Sequence, residues 1–283
     1  MRNEKLFVLL HEETKRISHM KSRIGILLIA VLLLFVACKR KEQHQFTHDF
    51  LLPMTPVKDQ GKSELCWAYA MLATIETEHI LRGDSVNLSA VYIGRRLKHY
   101  QSTVPNAPAS QRAMGMTLLN MIQNEGIVGY DVLPDDASDD MPTPQWVFML
   151  GAKYTPQEFA HSLCAPDEYM ALTCWPDSPY YKKVEIDVPD NWEHNRLLNL
   201  PLDTLRKHVD NALRNRHPVC WESRGHAMAI VGVARDEQGR AYYVMKNSWG
   251  TDRPYGGLAY MSVRKMWKDM IAVYMTREAF EIR

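Results

Sequence analysis

"QGKSELCWAYA", residues 60–70, sets a cysteine beside a tryptophan where a polar turn meets an apolar segment, six positions after a glutamine. From there Trp67, Ala70, Met71, Thr74, Ile75 and Glu78 recur at three- and four-residue spacing, the period of a helix with one covered stripe. Gly83 supplies a C-terminal stop. The spacing predicts a helix over 66–81 with Cys66 in its first turn. A thiol placed there has two readings. It is a small buried hydrophobe, or it is a nucleophile whose thiolate the helix N-terminus favours. In the second case the Gln60 amide is near enough in sequence to serve an oxyanion.

Working outward, a second helix opens near Ser89, and "GMTLLNMIQNEG" reads as a third, closed by Gly126. "PLDTLRKHVDNALRN" reads as a fourth, with Leu202, Leu205, Val209, Ala212 and Leu213 on one face. Proline-bearing stretches at 134–156 and 176–189 read as ordered loops with short pieces of structure. The acidic patch "DDASDD" at 135–140 reads as a solvated loop. The texture then changes. "HAMAIVGVA" and "AYYVMKNSW" flank the turn signal "RDEQGR" and predict a β-hairpin, and "GLAYMSV" is expected to be the last strand. Helices first and strands later predict an α+β fold in two subdomains.

The hairpin links distant chemistry. With the turn centred between Glu237 and Gln238, reflection carries His226 onto Trp249, two residues from Asn247. Strands lie about 4.8 Å apart, so imidazole and carboxamide share a neighbourhood. A general base needs a group to hold its tautomer, and an amide oxygen can do that. Taken singly, Gln60 is a turn residue, His226 a structural histidine, Asn247 a turn starter and Trp249 core filling. Together with Cys66 they form the set required to attack a carbonyl carbon and to stabilise the resulting oxyanion.

The blocks "PVKDQGKSELCWAYA", "GHAMAIVGV" and "YYVMKNSWGTDRPYGGLAYMS" occur in the order of the catalytic blocks of papain-like cysteine peptidases, which the chain resembles over roughly residues 50–275. The resemblance implies a papain-like fold, with a helical left subdomain, an antiparallel β-rich right subdomain and the active site in the cleft between them. It implies Cys66 as nucleophile, His226 as base, Asn247 as its orienter and Gln60 as oxyanion donor. Trp249 would shield the His–Asn bond, and Gly115, Trp67 and Trp249 would border bound peptide. No cofactor and no metal are implied. "TPQEF", "PYYKKVEIDVPDNW" and "LNLPLDTLRKHVDNAL" resemble runs in the bleomycin hydrolase and aminopeptidase C branch. Met114 stands where the first of two substrate-side glycines is usual, leaving Gly115. The sequence reaches Arg283 soon after the expected last strand, so an open cleft and endopeptidase action are expected over trimming of free N-termini. The alternatives are that aminopeptidase action, acyl transfer to an amine, and a peptide-binding lipoprotein that keeps the fold without catalysis.

The N-terminal region points to export. Residues 24–37 are fourteen uncharged, mostly aliphatic positions preceded by Lys21 and Arg23, a length that suits a signal peptide better than a membrane span. "FVAC" then predicts cleavage before Cys38 and lipidation of its thiol. The expected organisation is a signal peptide over 1–37, with Met20 as an alternative start, then Cys38 and a linker to 52, then the peptidase domain over 53–283. Localisation would be a bacterial envelope, anchored by lipid. Residues 1–37 hold six Lys/Arg and three Asp/Glu, so their removal takes the counts from 34 and 33 to 28 and 30, a net charge of −2. That balance argues against a nucleic-acid partner. Oligomeric state is open. Of the remaining cysteines, Cys220 reads as buried, and a Cys164–Cys174 disulfide is one arrangement an exporting compartment allows. His161, Cys164 and Cys174 lack the paired ligand spacing of a structural zinc site.

Overall fold

The computed structural model describes residues 44–282. The signal-peptide, start-site and Cys38 expectations lie outside the described residues. Among the described residues no helix is long and apolar enough to cross a membrane.

Helix α1 spans Cys66–Leu81. The expectation of a single covered stripe fails: Trp67 through His79 are all buried, on every side of the helix. The reason is that it is the central element, and its polar residues carry their own partners inward. Thr74 and Thr77 donate to the carbonyls of Ala70 and Ala73, four residues back. Glu76, Glu78 and His79 reach side chains or carbonyls of other segments. Helices α2 (Ala90–Thr103) and α3 (Gly115–Glu125) pack beside it, together with α4 (Pro156–Leu163). Ser89 caps α2 by accepting from the Tyr92 N–H, and Thr155 and Glu158 form a reciprocal capping box on α4.

The second part is a sheet of β1 (Phe46–Leu51), β4 (Tyr169–Thr173), β5 (Lys182–Glu185), β6 (Arg196–Asn199), β7 (Val219–Ser223), β8 (Ala227–Asp236), β9 (Ala241–Lys246), β10 (Leu258–Ser262) and β11 (Met270–Thr276). Its order is β10-β9-β8-β7-β11-β4-β6-β5, with β1 added to β8. Pairing is antiparallel except between β4 and β6. A separate hairpin joins β2 (Val147–Met149) to β3 (Ala152–Tyr154). Helices α5 (Leu202–Arg214), α6 (Val263–Asp269) and α7 (Arg277–Glu281) and a short 3-10 turn (Pro254–Gly257) complete the described elements.

Strand β8 explains its own unbroken apolar run, because both faces are covered. Ala227, Ala229 and Val231 face the helical side, where small side chains let α1 come close. Met228 and Ile230 alternate to the other side, against Leu205, Val209 and Leu213 of α5.

Three expectations are corrected. Residues 46–51, read as linker, form β1 and pair with residues 232–236 of β8. "GLAYMSV" is not the last strand: β11 follows and lies between β7 and β4. Its alternation puts Ala272 and Tyr274 toward the helices and Val273 and Met275 toward α5, a buried strand with no polar face to mark it. Finally, the hairpin turn is centred one half-residue later than expected, since Arg235 pairs with Ala241. Asp236 builds that turn, its carboxylate accepting from the N–H groups of Gln238 and Arg240. A bulge between Ile230 and Gly232 then shifts the ladder, so that Ala229 faces Lys246.

Cysteines 66, 164, 174 and 220 are all free thiols, so the Cys164–Cys174 disulfide is not formed. Cys220 is fully buried. Among the described residues no cluster of His, Cys, Asp and Glu has the makings of a metal site.

At the bulge a Cβ on Gly232 would lie 2.6 Å from the carbonyl oxygen of Phe50 in β1. Gly232→Ala should therefore push β1 off β8 and cost about 1–3 kcal/mol of stability. Urea denaturation checks this, and an unchanged midpoint would mean that β1 contributes nothing.

Candidate active site

Cys66 opens α1. Leu65 occupies the N-cap without a side-chain cap, and the first turn carries no acidic residue. The terminal N–H groups are thus not neutralised by a carboxylate, and the positive end of the helix acts on the thiol. Cys66 is half-buried and shares a small pocket with His226, Glu222, Arg112 and Asp190. The backbone of Ala227, the residue after His226, favours the thiolate form of the sulfur.

His226 precedes β8 and Asn247 follows β9. Imidazole Nε2 and the Asn247 amide oxygen are 2.8 Å apart. That oxygen also accepts from the Ser248 N–H at 2.8 Å, which settles the amide orientation and makes Nε2 the donor. Trp249 stacks on the imidazole, with ring centroids 4.9 Å apart and planes 25° from parallel.

Gln60 joins this group through the main chain. Its N–H donates to Ser248 O at 2.8 Å, Gly250 N–H donates to Lys58 O at 3.1 Å, and Asp59 bridges to Trp249. The side chain is held at both ends. Ser248 Oγ donates to Gln60 Oε1 at 2.6 Å, and Gln60 Nε2 donates to Ser63 O at 2.6 Å. One of the two amide N–H bonds is engaged by Ser63, leaving the other for a further acceptor. Gly250 has φ +72°, and a Cβ there would meet Asp59 Oδ2 at 3.0 Å, so the close pairing of the two segments requires glycine. Asp135, from the patch expected to be solvated, accepts from the Asp59 N–H and the Tyr69 hydroxyl, both at 2.7 Å. It fastens its loop to the turn that carries Gln60.

The residues expected to border peptide separate. Trp249 is 48% exposed. Trp67 is 1% exposed and donates its indole N–H to Gln111 O at 2.8 Å, so it locks a wall. Gly115 is buried: its N–H donates to Glu222 Oε2 at 3.3 Å, and a Cβ would meet the Tyr274 ring at 2.8 Å. Gly115 is there for packing, which corrects the expectation of an open backbone beside substrate.

Four residues of the site were not singled out in the sequence. Ser248 lay inside the quoted "NSW" block without a role. Glu222 was legible as the lone acid in the strand "VCWES". It is fully sequestered beside the thiol and accepts from the Tyr274 hydroxyl at 2.7 Å. Arg112 and Asp190 form a two-pronged pair at 3.0 and 2.7 Å, and Arg112 also donates to Arg224 O at 2.8 Å. Trp192 donates to Arg112 O at 3.0 Å. These groups come from segments far apart in sequence, and no local pattern pairs them.

Burial works on the titratable groups of the site. Desolvation raises the Cys66 thiol above its ordinary range and the Glu222 charge adds to this, against the Ala227 and Trp67 backbone and the Arg112 charge. Desolvation lowers His226, against the support of Asn247. Both shifts work against separated charges, in opposition to the pull of the helix N-terminus on the thiolate. Burial also lifts Glu222 to about 7, while Tyr274 and Gly115 hold it down.

No protein-family model matches the chain. Among curated proteins it is similar to ananain of Ananas comosus, 23% identical over 216 residues, 72% of this chain and 51% of that one. Procathepsin L of Felis catus is 24% identical over 204 residues, 70% and 54% of the two chains. Chymopapain of Carica papaya is 24% identical over 224 residues, 75% and 52%. The chain spans about half the length of these curated relatives. Among solved structures, PepW from Lactobacillus rhamnosis HN001 superposes with a TM-score of 0.63 at 16% identity, covering 82% of each chain. Procathepsin L 3 from the Tenebrio molitor larval midgut gives 0.50 at 16%, covering 84% and 71%. The fold is papain-like and α+β, and the sequence likeness lies with papain-type cysteine proteases.

Glu222 gives the site a measurable signature. Its charge, present above about pH 7, opposes thiolate formation at Cys66. Glu222→Gln should lower the apparent thiol pKa, read from the pH dependence of iodoacetamide alkylation. A pKa unchanged or raised would show that the carboxylate does not reach the sulfur.

Proposed function

We propose that the protein is a peptidase using Cys66 as nucleophile and His226 as general base. The observation that carries this reading is the 2.8 Å His226–Asn247 bond under Trp249, in the same pocket wall as a thiol at a helix N-terminus. With Nε2–H given to Asn247, Nδ1 is the basic nitrogen of the neutral ring. It takes the thiol proton as sulfur attacks the carbonyl carbon of a peptide. The Cys66 N–H and the free N–H of the Gln60 amide would hold the oxyanion. The C–N bond then breaks, with the proton passing from imidazolium to the amine, and a thioester remains. A water gives its proton to His226 and attacks the thioester, releasing the acid and restoring the thiol. With burial working against charge on both groups, proton transfer from sulfur to Nδ1 accompanies attack. Ser248 holds the Gln60 carbonyl and so aims its amide nitrogen.

A finer placement in the bleomycin hydrolase and aminopeptidase C branch is supported by the runs at 155–159, 179–192 and 198–213. One of them supplies Asp190 and Trp192 beside the pocket. Endopeptidase action on an open cleft and lipid anchoring through Cys38 belong to the same reading. The anchor rests on the apolar run 24–37 and the "FVAC" sequence. A Cys38→Ser chain should leave the membrane fraction, and mass spectrometry of the native N-terminus should show an acylated cysteine.

Cys66→Ala should abolish hydrolysis of a peptide library and labelling by a thiol-reactive epoxide, and hydrolysis that survives would sink the mechanism. Gln60→Ala should lower kcat by about 10²–10³-fold, the cost of one oxyanion donor. N-acetylated peptides should be cut as well as free ones. Cleavage confined to free N-termini would reassign the enzyme as an aminopeptidase.

A further inference from the structure

We propose that a groove beside the base selects peptides with an acidic residue near the scissile bond, and that Arg224 and Lys268 read that residue. The inference rests on the peptidase reading above and adds a substrate class to it. The groove has a volume of about 590 Å³, within the range of pockets that hold side chains and small ligands. Trp175, Leu202, Trp267 and Met270 give it apolar walls, and Arg224 and Lys268 line it as well.

The groove is continuous with the catalytic pocket. Ser223, Arg224 and Gly225, the three residues before His226, form one of its sides, and Ser223 also lines the pocket that holds the thiol. From there the groove runs past Met270 at the start of β11 to Cys174 and Trp175 after β4. A peptide extended across Cys66 and His226 therefore leads onto it. The turn between the two sites is fixed. Ser223 donates to His226 O from its N–H and from Oγ, each at 2.9 Å, and the His226 N–H donates back to Ser223 Oγ at 3.2 Å. Arg112 holds the Arg224 carbonyl at 2.8 Å. The Arg224 guanidinium lies over the Trp175 ring, 5.5 Å from its centroid, so stacking keeps the cation at the groove.

The charge balance names the occupant. Among the described residues neither Arg224 nor Lys268 forms an ion pair. Asp269 is the one carboxylate in the lining, and Lys265 engages it. Asp203, next to Leu202, faces Arg206 at 3.9 Å. The groove thus offers two cations without counter-charges beside apolar walls. An acidic side chain fits both features: its methylene stem packs on the walls, and its carboxylate meets the guanidinium, whose fork of N–H donors suits it. A lysine or arginine of the peptide would meet like charge. The acids of the catalytic pocket do not offset this, because Arg112 engages Asp190, while Glu222 is buried and bonded to Tyr274 and Gly115.

The test compares kcat/KM for matched peptides that differ only in Glu against Gln. The exchange is made in turn at each position flanking the scissile bond of a peptide that the unaltered chain cuts. At one position Glu should be favoured about fivefold, the worth of an exposed ion pair of good geometry. The preference should shrink as salt is raised. Arg224→Gln should bring the Glu/Gln ratio at that position to about one, and Arg224→Glu should turn the preference toward Lys. Lys268→Gln should lower the ratio by a smaller step. Equal kcat/KM for Glu and Gln at every position overturns the inference and leaves the peptidase reading standing, as does a ratio unchanged in the chain carrying both Arg224→Gln and Lys268→Gln. Peptides that stay intact whatever residue they carry overturn the peptidase reading itself, and this inference with it.

Discussion

The structure depends on burying one helix completely. With Trp67 through His79 all out of solvent, α1 has no face on which a polar side chain could be solvated. Each such residue must find a protein partner, and the partners are what tie the helix to the sheet. Glu76 meets Lys58 and lies near Lys246, while Glu78 meets His217 at 3.0 Å and Thr276 at 3.5 Å. Buried pairs of this kind contribute little net stability, but losing one partner costs about 3–5 kcal/mol because the other charge is stranded. They therefore act as a register. They set where the first turn of α1, and so Cys66, stands relative to the strands that deliver His226 and Asn247.

Close approach makes the register effective. Alanines and valine on the inner face of β8 let α1 rest near the sheet, and the bulge at Val231 adjusts the ladder between the turn and the site. The short main-chain stitching of 58–60 to 248–250 then places Gln60 by backbone bonds and not by a side-chain coincidence. A flexible glutamine is held at its carbonyl by Ser248 and at its amide by Ser63. Such preorganisation is what oxyanion stabilisation requires, since donors already in place need no rearrangement during reaction.

Electrostatics in the pocket pull against a resting thiolate. The helix end and the Ala227 backbone favour it, and desolvation and Glu222 oppose it. The Arg112–Asp190 pair stands beside them, held by Trp192 and the Arg224 carbonyl. These features separate this site from a bare Cys-His-Asn set, and they come from segments that no motif reading connects.

Much of this was legible in the chain. The four long helices occur where the spacing of 66–81, Ser89, Gly126 and the apolar stripe of 202–213 indicated, because capping and period are local properties. The β8–β9 hairpin and the neighbourhood of His226 and Asn247 were legible for the same reason, as a turn fixes register over a few residues. What only the tertiary structure decided is of another kind. β1 and β11 have no polar alternation to announce them, since one joins an edge and the other is buried on both faces. The inward burial of Trp67 and Gly115, the place of Glu222 under the thiol, and the pairing of two lysines with one glutamate depend on contacts between residues far apart in sequence. Spacing along a chain encodes which face a side chain takes on its own element, but which other element covers that face is settled only when the whole core packs.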